Sequence, residues 1–210
     1  MKILITAGPT REALDPMRFL SNRSTGKMGY ALAEAAAEGG LEVVLISGPC
    51  ALPQPEGLAA FIPVISAADM ADAVKKEFPS CDAAIMCAAV ADYRPKTFST
   101  SKIKKKEGTF VLELERTEDI LASLGKMKQS HQKLIGFAAE TDDLETNALG
   151  KLERKNLDWI AANRLDLPGQ GAESSTNSVI LYSAGGEKLV IPLASKKDVA
   201  KKILEDTGLI

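Results

Sequence analysis

The sequence predicts an α/β fold: a mostly parallel sheet with helices on both faces, joined by an antiparallel arm and a carboxyl-terminal hairpin. Three observations predict it. Short, continuous apolar or β-branched runs alternate with stretches of three- and four-residue apolar spacing through the first three quarters of the chain. A β-prone segment without helical spacing interrupts that rhythm at Lys102 to Arg116, and two β-type runs flank Ala184-Gly185-Gly186-Glu187 near the end.

The β-type runs are Lys2 to Ala7, Glu42 to Ser47, Phe61 to Ser66, Ala83 to Ala88, Lys133 to Ala138 and Leu157 to Ala162. Runs of this length without polar alternation read as strands buried on both faces. Lys27 to Glu38, Ala68 to Phe78, Glu118 to Lys128 and Asp143 to Lys155 carry one apolar stripe each and read as the helices between them. Right-handed crossovers then cover both faces of the sheet. Lys102 to Arg116, with a glycine turn, reads as an antiparallel arm or flap. Asn177 to Ser183 and Lys188 to Leu193 read as a hairpin, because glycine supplies the positive φ its turn needs. Lys196 to Glu205 forms the last helix, Pro168 to Asn177 is loop-like, and residues 1–210 are expected to make one domain without a linker.

Composition removes whole classes of chemistry. The 210 residues hold 26 Lys plus Arg against 28 Asp plus Glu, a formal charge of −2, which argues against a nucleic-acid footprint. The longest apolar runs, such as Ala83 to Ala91, are about half of what a membrane span requires, so a soluble protein is expected. No leader-like stretch follows Met1-Lys2, and Cys50, Cys81 and Cys87 show no CxxC spacing; both point to free thiols in the cytoplasm. A single histidine, His131, in a polar stretch leaves no zinc site, facial triad or Ser-His pair. Catalysis must rest on carboxylates, amides, lysines, arginines and backbone.

The connection from Gly8 to about Ser24 is long and polar, at the carboxyl end of the first strand, where open α/β sheets bind ligands. Ser24 or Thr25 can cap the following helix, and Gly26 and Gly29 let an anion approach its N–H donors. It is not a P-loop: Ser21 stands at the first glycine and Met28 follows Lys27. Nor is it a dinucleotide fingerprint, since the second strand ends Leu45-Ile46-Ser47-Gly48-Pro49 without an acid. No Tyr-x-x-x-Lys pair exists, which disfavours a short-chain dehydrogenase.

Three blocks together resemble one family. Thr6-Ala7-Gly8-Pro9-Thr10-Arg11-Glu12, Asp15-Pro16 and Arg18 through Gly29 form the first; Ala88-Ala89-Val90-Ala91-Asp92-Tyr93-Arg94-Pro95 with Lys102-Ile103-Lys104-Lys105 the second. Gly136 through Thr141 and Lys151 through Asn163 form the third. They are similar to phosphopantothenate–cysteine ligase, the synthetase half of a bifunctional coenzyme A biosynthesis protein, over nearly the whole chain. The chain departs from the family pattern at Pro9, at Thr117-Glu118 and at Arg164.

The resemblance implies a modified Rossmann-like fold, a homodimer whose partner subunit helps to cover the site, and a CTP-dependent ligase. The carboxylate of 4′-phosphopantothenate would attack CTP to form an acyl-cytidylate and pyrophosphate, and L-cysteine would displace CMP. Asn22, Arg18 and Lys102 are the implied catalytic residues, Asn22 donating to a developing oxyanion and Lys102 following charge onto pyrophosphate. Met86, Cys87, Ala88, Asp92, Lys102, Glu118, Asp119, Ile120, Leu121, Phe137, Lys151 and Lys155 are the implied nucleotide set. Phe137 would pack on the cytosine, and Asp92 would contact the nucleotide or organise magnesium. Ser24, Thr25, Gly26 and Lys27 would receive the substrate phosphate on helix-terminus grounds. Mg²⁺ accompanies the triphosphate, with no protein ligand named. The thiols have no chemical role in this reading; Cys87 is expected in the core. The flavin-binding decarboxylase half of the bifunctional proteins, fused or separate, is a partner whose flavin does not belong to these residues. An ATP-using member of the family is the rival reading, and a silent nucleotide-binding module a second.

Overall fold

The computed structural model describes residues 1–105, 107–140, 142–164 and 169–210. Its elements in order are β1 (Lys2–Ala7), β2 (Arg11–Ala13), β3 (Phe19–Ser21), α1 (Lys27–Glu38), β4 (Glu42–Ser47), β5 (Ala60–Pro63), α2 (Ala67–Glu77), β6 (Ala83–Met86), β7 (Tyr93–Pro95), β8 (Leu114–Arg116), α3 (Ile120–Met127), β9 (Lys133–Glu140), α4 (Leu144–Arg154), β10 (Trp159–Arg164), β11 (Thr176–Ser183), β12 (Lys188–Ser195) and α5 (Lys196–Asp206). Eight strands form one sheet in the order β12-β11-β10-β9-β6-β1-β4-β5. From β5 to β10 every pairing is parallel, while β11 runs antiparallel to β10 and to β12. The six parallel strands, numbered by appearance, lie 3-2-1-4-5-6. The chain therefore changes direction of travel across the sheet between β1 and β6, which is where doubly wound sheets open a crevice.

Both faces are packed. Leu32, Ala33 and Ala36 of α1 and Val199, Ala200 and Ile203 of α5 cover Ile3, Ile5 and Leu45 on one face. Met70 and Val74 of α2, Leu124 of α3 and Ala148 and Leu152 of α4 cover Leu4, Ile46 and Ile160 on the other. Alternate residues of β1 thus serve opposite layers, which explains why its sequence is apolar throughout. At about 25 cal/mol per Å² of apolar surface removed from water, each such fully buried Ile or Leu contributes roughly 1.5–3 kcal/mol. No helix among the described residues is long and apolar enough to cross a membrane.

Several boundaries move for local reasons. The run expected to reach Ser66 stops at Pro63, and Ser66 instead caps α2, accepting from Asp69 N–H while Asp69 reaches back in a capping box. The strand expected from Leu157 starts at Trp159, because Asn156 (φ 52°) turns α4 off and Leu157 N–H closes on Leu152 O at 3.0 Å. The glycine at the start of α1 is itself the cap: Gly26, at φ 80°, takes the position expected of Ser24 or Thr25, and no side chain caps this helix. The connection after β1 is not featureless, since β2 and β3 pair antiparallel within it. Glu12 of β2 is buried and accepts the Ala67 N–H at 2.8 Å, fixing the hairpin to the start of α2. Among the described residues of the expected arm, Leu114–Arg116 is a strand and pairs with Tyr93–Pro95, whereas Lys102–Lys105 is not in a strand. Pro168, at the start of the expected loop, and Lys106 and Thr141 lie outside the described residues.

Candidate functional site

A cleft of about 560 Å³ lies over the carboxyl ends of β1, β6, β9 and β10. It crosses the crest of the sheet, bounded on one face by α3 and α4 and on the other by α1 and α5. Of the expected site residues, Asn22, Ser24, Met86, Cys87, Ala88, Asp92, Glu118, Asp119, Ile120, Leu121, Phe137, Lys151 and Lys155 line it. Thr25, Gly26, Lys27, Arg18 and Lys102 do not.

Asn22 sits at the crest, just after β3. Its amide nitrogen donates to Ala89 O at 3.0 Å and Val90 O at 3.2 Å, so the hairpin is fastened to the loop that follows β6. The amide nitrogen thus has backbone partners here, and donating to an oxyanion would require it to exchange one of them. The same junction is reinforced by Thr10, whose buried hydroxyl accepts from Ala91 N–H at 2.9 Å.

On the α3/α4 side, both lysines that line the cleft have an acid beside them. Lys151 Nζ lies 2.6 Å from Glu140 Oε1, and Lys155 Nζ lies 2.9 Å from Asp119 Oδ2. Asp119 also caps α3 through Ala122 N–H at 3.0 Å. Burial pushes the Asp119 carboxyl up, but the Ala122 N–H and Lys155 outweigh it and hold the group below the usual carboxylate range. Glu118 is held low by Lys75, assisted by Ser123. Phe137 is half-buried, with its side chain in the cleft wall, as an aromatic packing partner for a base requires. Asp92 is exposed at the mouth, with no partner for its carboxylate among the described residues. No cluster of three metal-binding side chains occurs among the described residues. A hard cation already carried by phosphate oxygens needs only one such carboxylate, so Asp92 fits magnesium.

On the α1/α5 side Lys27 and Lys196 meet backbone. Lys27 Nζ donates to Glu173 O at 2.7 Å, and Thr25 Oγ1 donates to Ala172 O at 2.7 Å. Gly29, expected to admit an anion, has a packing reason instead: a Cβ there would lie 2.6 Å from Ala7 Cβ, so α1 can approach β1 closely only with glycine. Cys87 packs half-buried against the core. It lines the cleft, and burial pushes its thiol up to about 12, against the charge of Lys196.

Arg18 and Lys102 belong to a clamp beside the cleft. The buried carboxylate of Asp15 accepts from Arg18 Nη2 at 2.6 Å, from the backbone N–H groups of Met17 and Arg18 at 2.9 Å, and from Ile103 N–H at 3.1 Å. Arg18 in turn donates to Ile103 O at 3.0 Å. The Arg18 guanidinium holds the Asp15 carboxyl well below the usual range. This clamp pins the arm at Ile103, one residue after Lys102, whose own side chain is exposed.

The cleft also contains residues that sequence reasoning missed: Thr6, Asn163, Asn177 and Lys196. Lys196 had one signal, the Ser195-to-Asp198 cap that places it at the first position of α5. Asn163 and Asn177 are polar ends of strands, and nothing in their spacing marks them.

A Rossmann-ordered sheet with a polar cleft at its switch point defines a doubly wound α/β domain. The chain belongs to the family of DNA/pantothenate metabolism flavoprotein C-terminal domains, whose sequence model matches residues 1–208. It is 54% identical over 208 residues to the coenzyme A biosynthesis bifunctional protein CoaBC of Bacillus subtilis (strain 168), covering 99% of this chain and 51% of that protein. It is 42% identical to the protein of the same name from Escherichia coli (strain K12), covering 98% of this chain and 51% of that one. The chain thus spans about half the length of the curated relatives it matches. A crystal structure of the C-terminal domain of a CoaBC protein superposes with a TM-score of 0.84 at 47% identity, covering 99% of this chain and 94% of that one.

Proposed function

We propose that this chain is a cytoplasmic phosphopantothenate–cysteine ligase that joins 4′-phosphopantothenate to L-cysteine at the expense of CTP. The observation that carries the reading is the cleft itself, which brings Asn22, Asp92, Phe137, Lys151 and Lys155 together at the switch point. The relatives' names, which place them in coenzyme A biosynthesis, support it.

The substrate carboxylate attacks the α-phosphorus, the α–β bridging bond breaks, and pyrophosphate leaves with the electron pair. The cysteine nitrogen then attacks the acyl carbon; the acyl–oxygen bond breaks, CMP leaves, and the amine proton is lost. Neither step needs a histidine or a protein nucleophile, because nucleotidyl activation creates the electrophile and the site orients the reactants. Lys151 and Lys155 exchange carboxylate partners for the triphosphate beside the N-terminus of α3. Phe137 packs on the base. Asn22 Oδ1 accepts a hydrogen bond from the attacking amine and aims it. Asp92 would hold a magnesium ion that comes with the triphosphate, and the ion would supply neutralisation of charge on its phosphates. The Asp15–Arg18 clamp makes Arg18 a positioning residue for the arm that brings Lys102 to the departing pyrophosphate. Ser24 to Lys27, at the start of α1, receive the substrate phosphate. Phe19, Phe98, Phe110, Val111 and Leu114 are exposed on the hairpin and the arm, an apolar surface that a second copy of the chain would cover. A flavin-binding decarboxylase half, fused or separate, supplies the other half of the relatives' length.

Pyrophosphate release with magnesium, CTP or ATP, and phosphopantothenate present or withheld tests the reading. Release should require phosphopantothenate and favour CTP, with phosphopantothenoylcysteine formed once cysteine is added. Release independent of phosphopantothenate overturns the ligase, and preference for ATP overturns the choice of nucleotide.

A further inference from the structure

The α1/α5 end of the cleft contains a charge and an acceptor that the folded chain leaves uncompensated. Lys196 is 6% exposed, at the first position of α5. Its ammonium donates to Gly171 O and Ala172 O, each at 3.1 Å, and forms no ion pair among the described residues. Lys27 stands near enough for its charge to add to burial in pulling the Lys196 pKa down. The nearest acid in sequence, Asp198, is occupied by the Ser195 cap. Asn177, 4% exposed, lines the same cleft, and its Oδ1 has no hydrogen-bond partner among the described residues.

Each feature is costly alone. A buried ammonium needs a counter-charge, and two carbonyl dipoles supply only part of one. A lysine has three N–H donors, of which the carbonyls take two. A buried amide oxygen without a donor forfeits a hydrogen bond to water and regains none. The ligand that would satisfy both carries an anionic group and, close to it, a hydroxyl or amide N–H. A phosphate monoester of an amide-containing alcohol has that chemistry; a nucleotide base carries no anionic group, and an amino acid would bring its own ammonium against the charges of Lys196 and Lys27.

We propose that Lys196 anchors the phosphate of the acyl substrate and is the residue that selects phosphorylated over unphosphorylated acid, while Asn177 accepts a hydrogen bond from the hydroxyl or amide N–H of the same substrate. The proposal rests on the ligase reading and goes beyond the α1 start, because it places the selective charge on α5. The nucleotide occupies the α3/α4 end, so the substrate lies across the crest with its carboxylate at Asn22 and its phosphate at the opposite face.

The experiment compares wild type, Lys196→Met, Lys196→Arg and Asn177→Leu by pyrophosphate release with phosphopantothenate and with pantothenate, and by thermal melting with and without each acid. Lys196→Met should raise KM for phosphopantothenate about 10- to 100-fold, the range expected for losing a charged hydrogen bond. KM for CTP should stay within about twofold, and turnover with phosphopantothenate should fall by far more than any turnover with pantothenate, so the preference between the two acids collapses. Lys196→Arg, which keeps the charge, should retain most of the preference. The free Lys196→Met and Asn177→Leu proteins should melt no lower than wild type, since each loses an unsatisfied group, and Asn177→Leu should weaken both acids alike. Equal loss with both acids for Lys196→Met, or a loss confined to CTP, overturns the anchor. A lower melting temperature with unchanged KM assigns Lys196 to holding the 171–172 carbonyls, and overturns it too. Failure of the ligase reading is separable: wild type would release no pyrophosphate, whereas the anchor is also read from a melting rise given by phosphopantothenate, not pantothenate, to wild type and not to Lys196→Met.

Discussion

At the α3/α4 end of the cleft Lys151 and Lys155 each face a carboxylate, whereas at the α1/α5 end Lys27 and Lys196 face backbone carbonyls. The paired lysines are partly exposed, so their ion pairs stabilise the fold by no more than about 1 kcal/mol each. Such pairs exchange partners at little cost when a triphosphate arrives. The carbonyl-held lysines are different in kind: the positive charge stays uncompensated until a ligand brings the negative one. One end is suited to a ligand that must come and go as its charge redistributes, the other to a fixed phosphate that only anchors.

The largest expected effect lies where the two ends meet. Asn22→Ala should leave pyrophosphate release in the absence of cysteine nearly intact while slowing amide formation on the order of 10²-fold, the scale seen when one preorganised polar contact to a reacting group is removed. Single-turnover assays that follow pyrophosphate and phosphopantothenoylcysteine separately check this. Unchanged amide formation would remove Asn22 as the link between the ends.

A smaller effect should distinguish the ends directly. Lys155→Met should raise KM for CTP about tenfold, because it removes a charged contact and leaves Asp119 facing the triphosphate unpaired. Adding Asp119→Asn should recover part of that loss, although it also weakens the cap of α3. KM for phosphopantothenate should move less than about twofold, within the additivity expected of separate sites. If it rises in step with that for CTP, the two ends are one site and the comparison fails.

Much of this was legible in the sequence. Alternating apolar runs predicted the parallel sheet because burial on both faces leaves no polar alternation, as in Lys2–Ala7. The three motif blocks predicted most of the cleft because Asn22, Asp92, Phe137 and the two α4 lysines lie next to strand ends. Contacts between distant segments were not legible. Nothing local in Asn22 shows that its amide nitrogen donates to Ala89 and Val90, 67 and 68 residues on. Arg18 reads equally well as a site residue or an ion pair until Asp15 and Ile103 are seen around it. Lys196 sits in an ordinary helix start, and only the return of residues 171 and 172 over it buries the charge. Glycines misled for a related reason: Gly29 satisfies both anion approach and helix–strand contact, and Ala7 decides between them.

The smallest effect concerns Cys87, which touches the cleft near Lys196 without a role in either reaction step. Cys87→Ala should leave turnover within about twofold, as expected of a contact equal in ground and transition states. Its thiol is nonetheless a local gauge of the uncompensated charge. Burial pushes it up to about 12, and the charge of Lys196 opposes burial. In a Cys50→Ser, Cys81→Ser background, alkylation at pH 8 should run about a thousandfold slower than at an unperturbed thiol, because the reactive thiolate is that much scarcer. The rate should climb with pH until the folded protein is lost. Lys196→Met removes a charge that favours the thiolate and should slow alkylation further, while Lys155→Met, at the other end, should leave the rate unchanged. Equal slowing by both would mean that one field spans the cleft and that the two ends are not electrostatically distinct. Alkylation as fast as at a free thiol would put Cys87 in open solvent and remove the buried setting on which the charge of Lys196 depends.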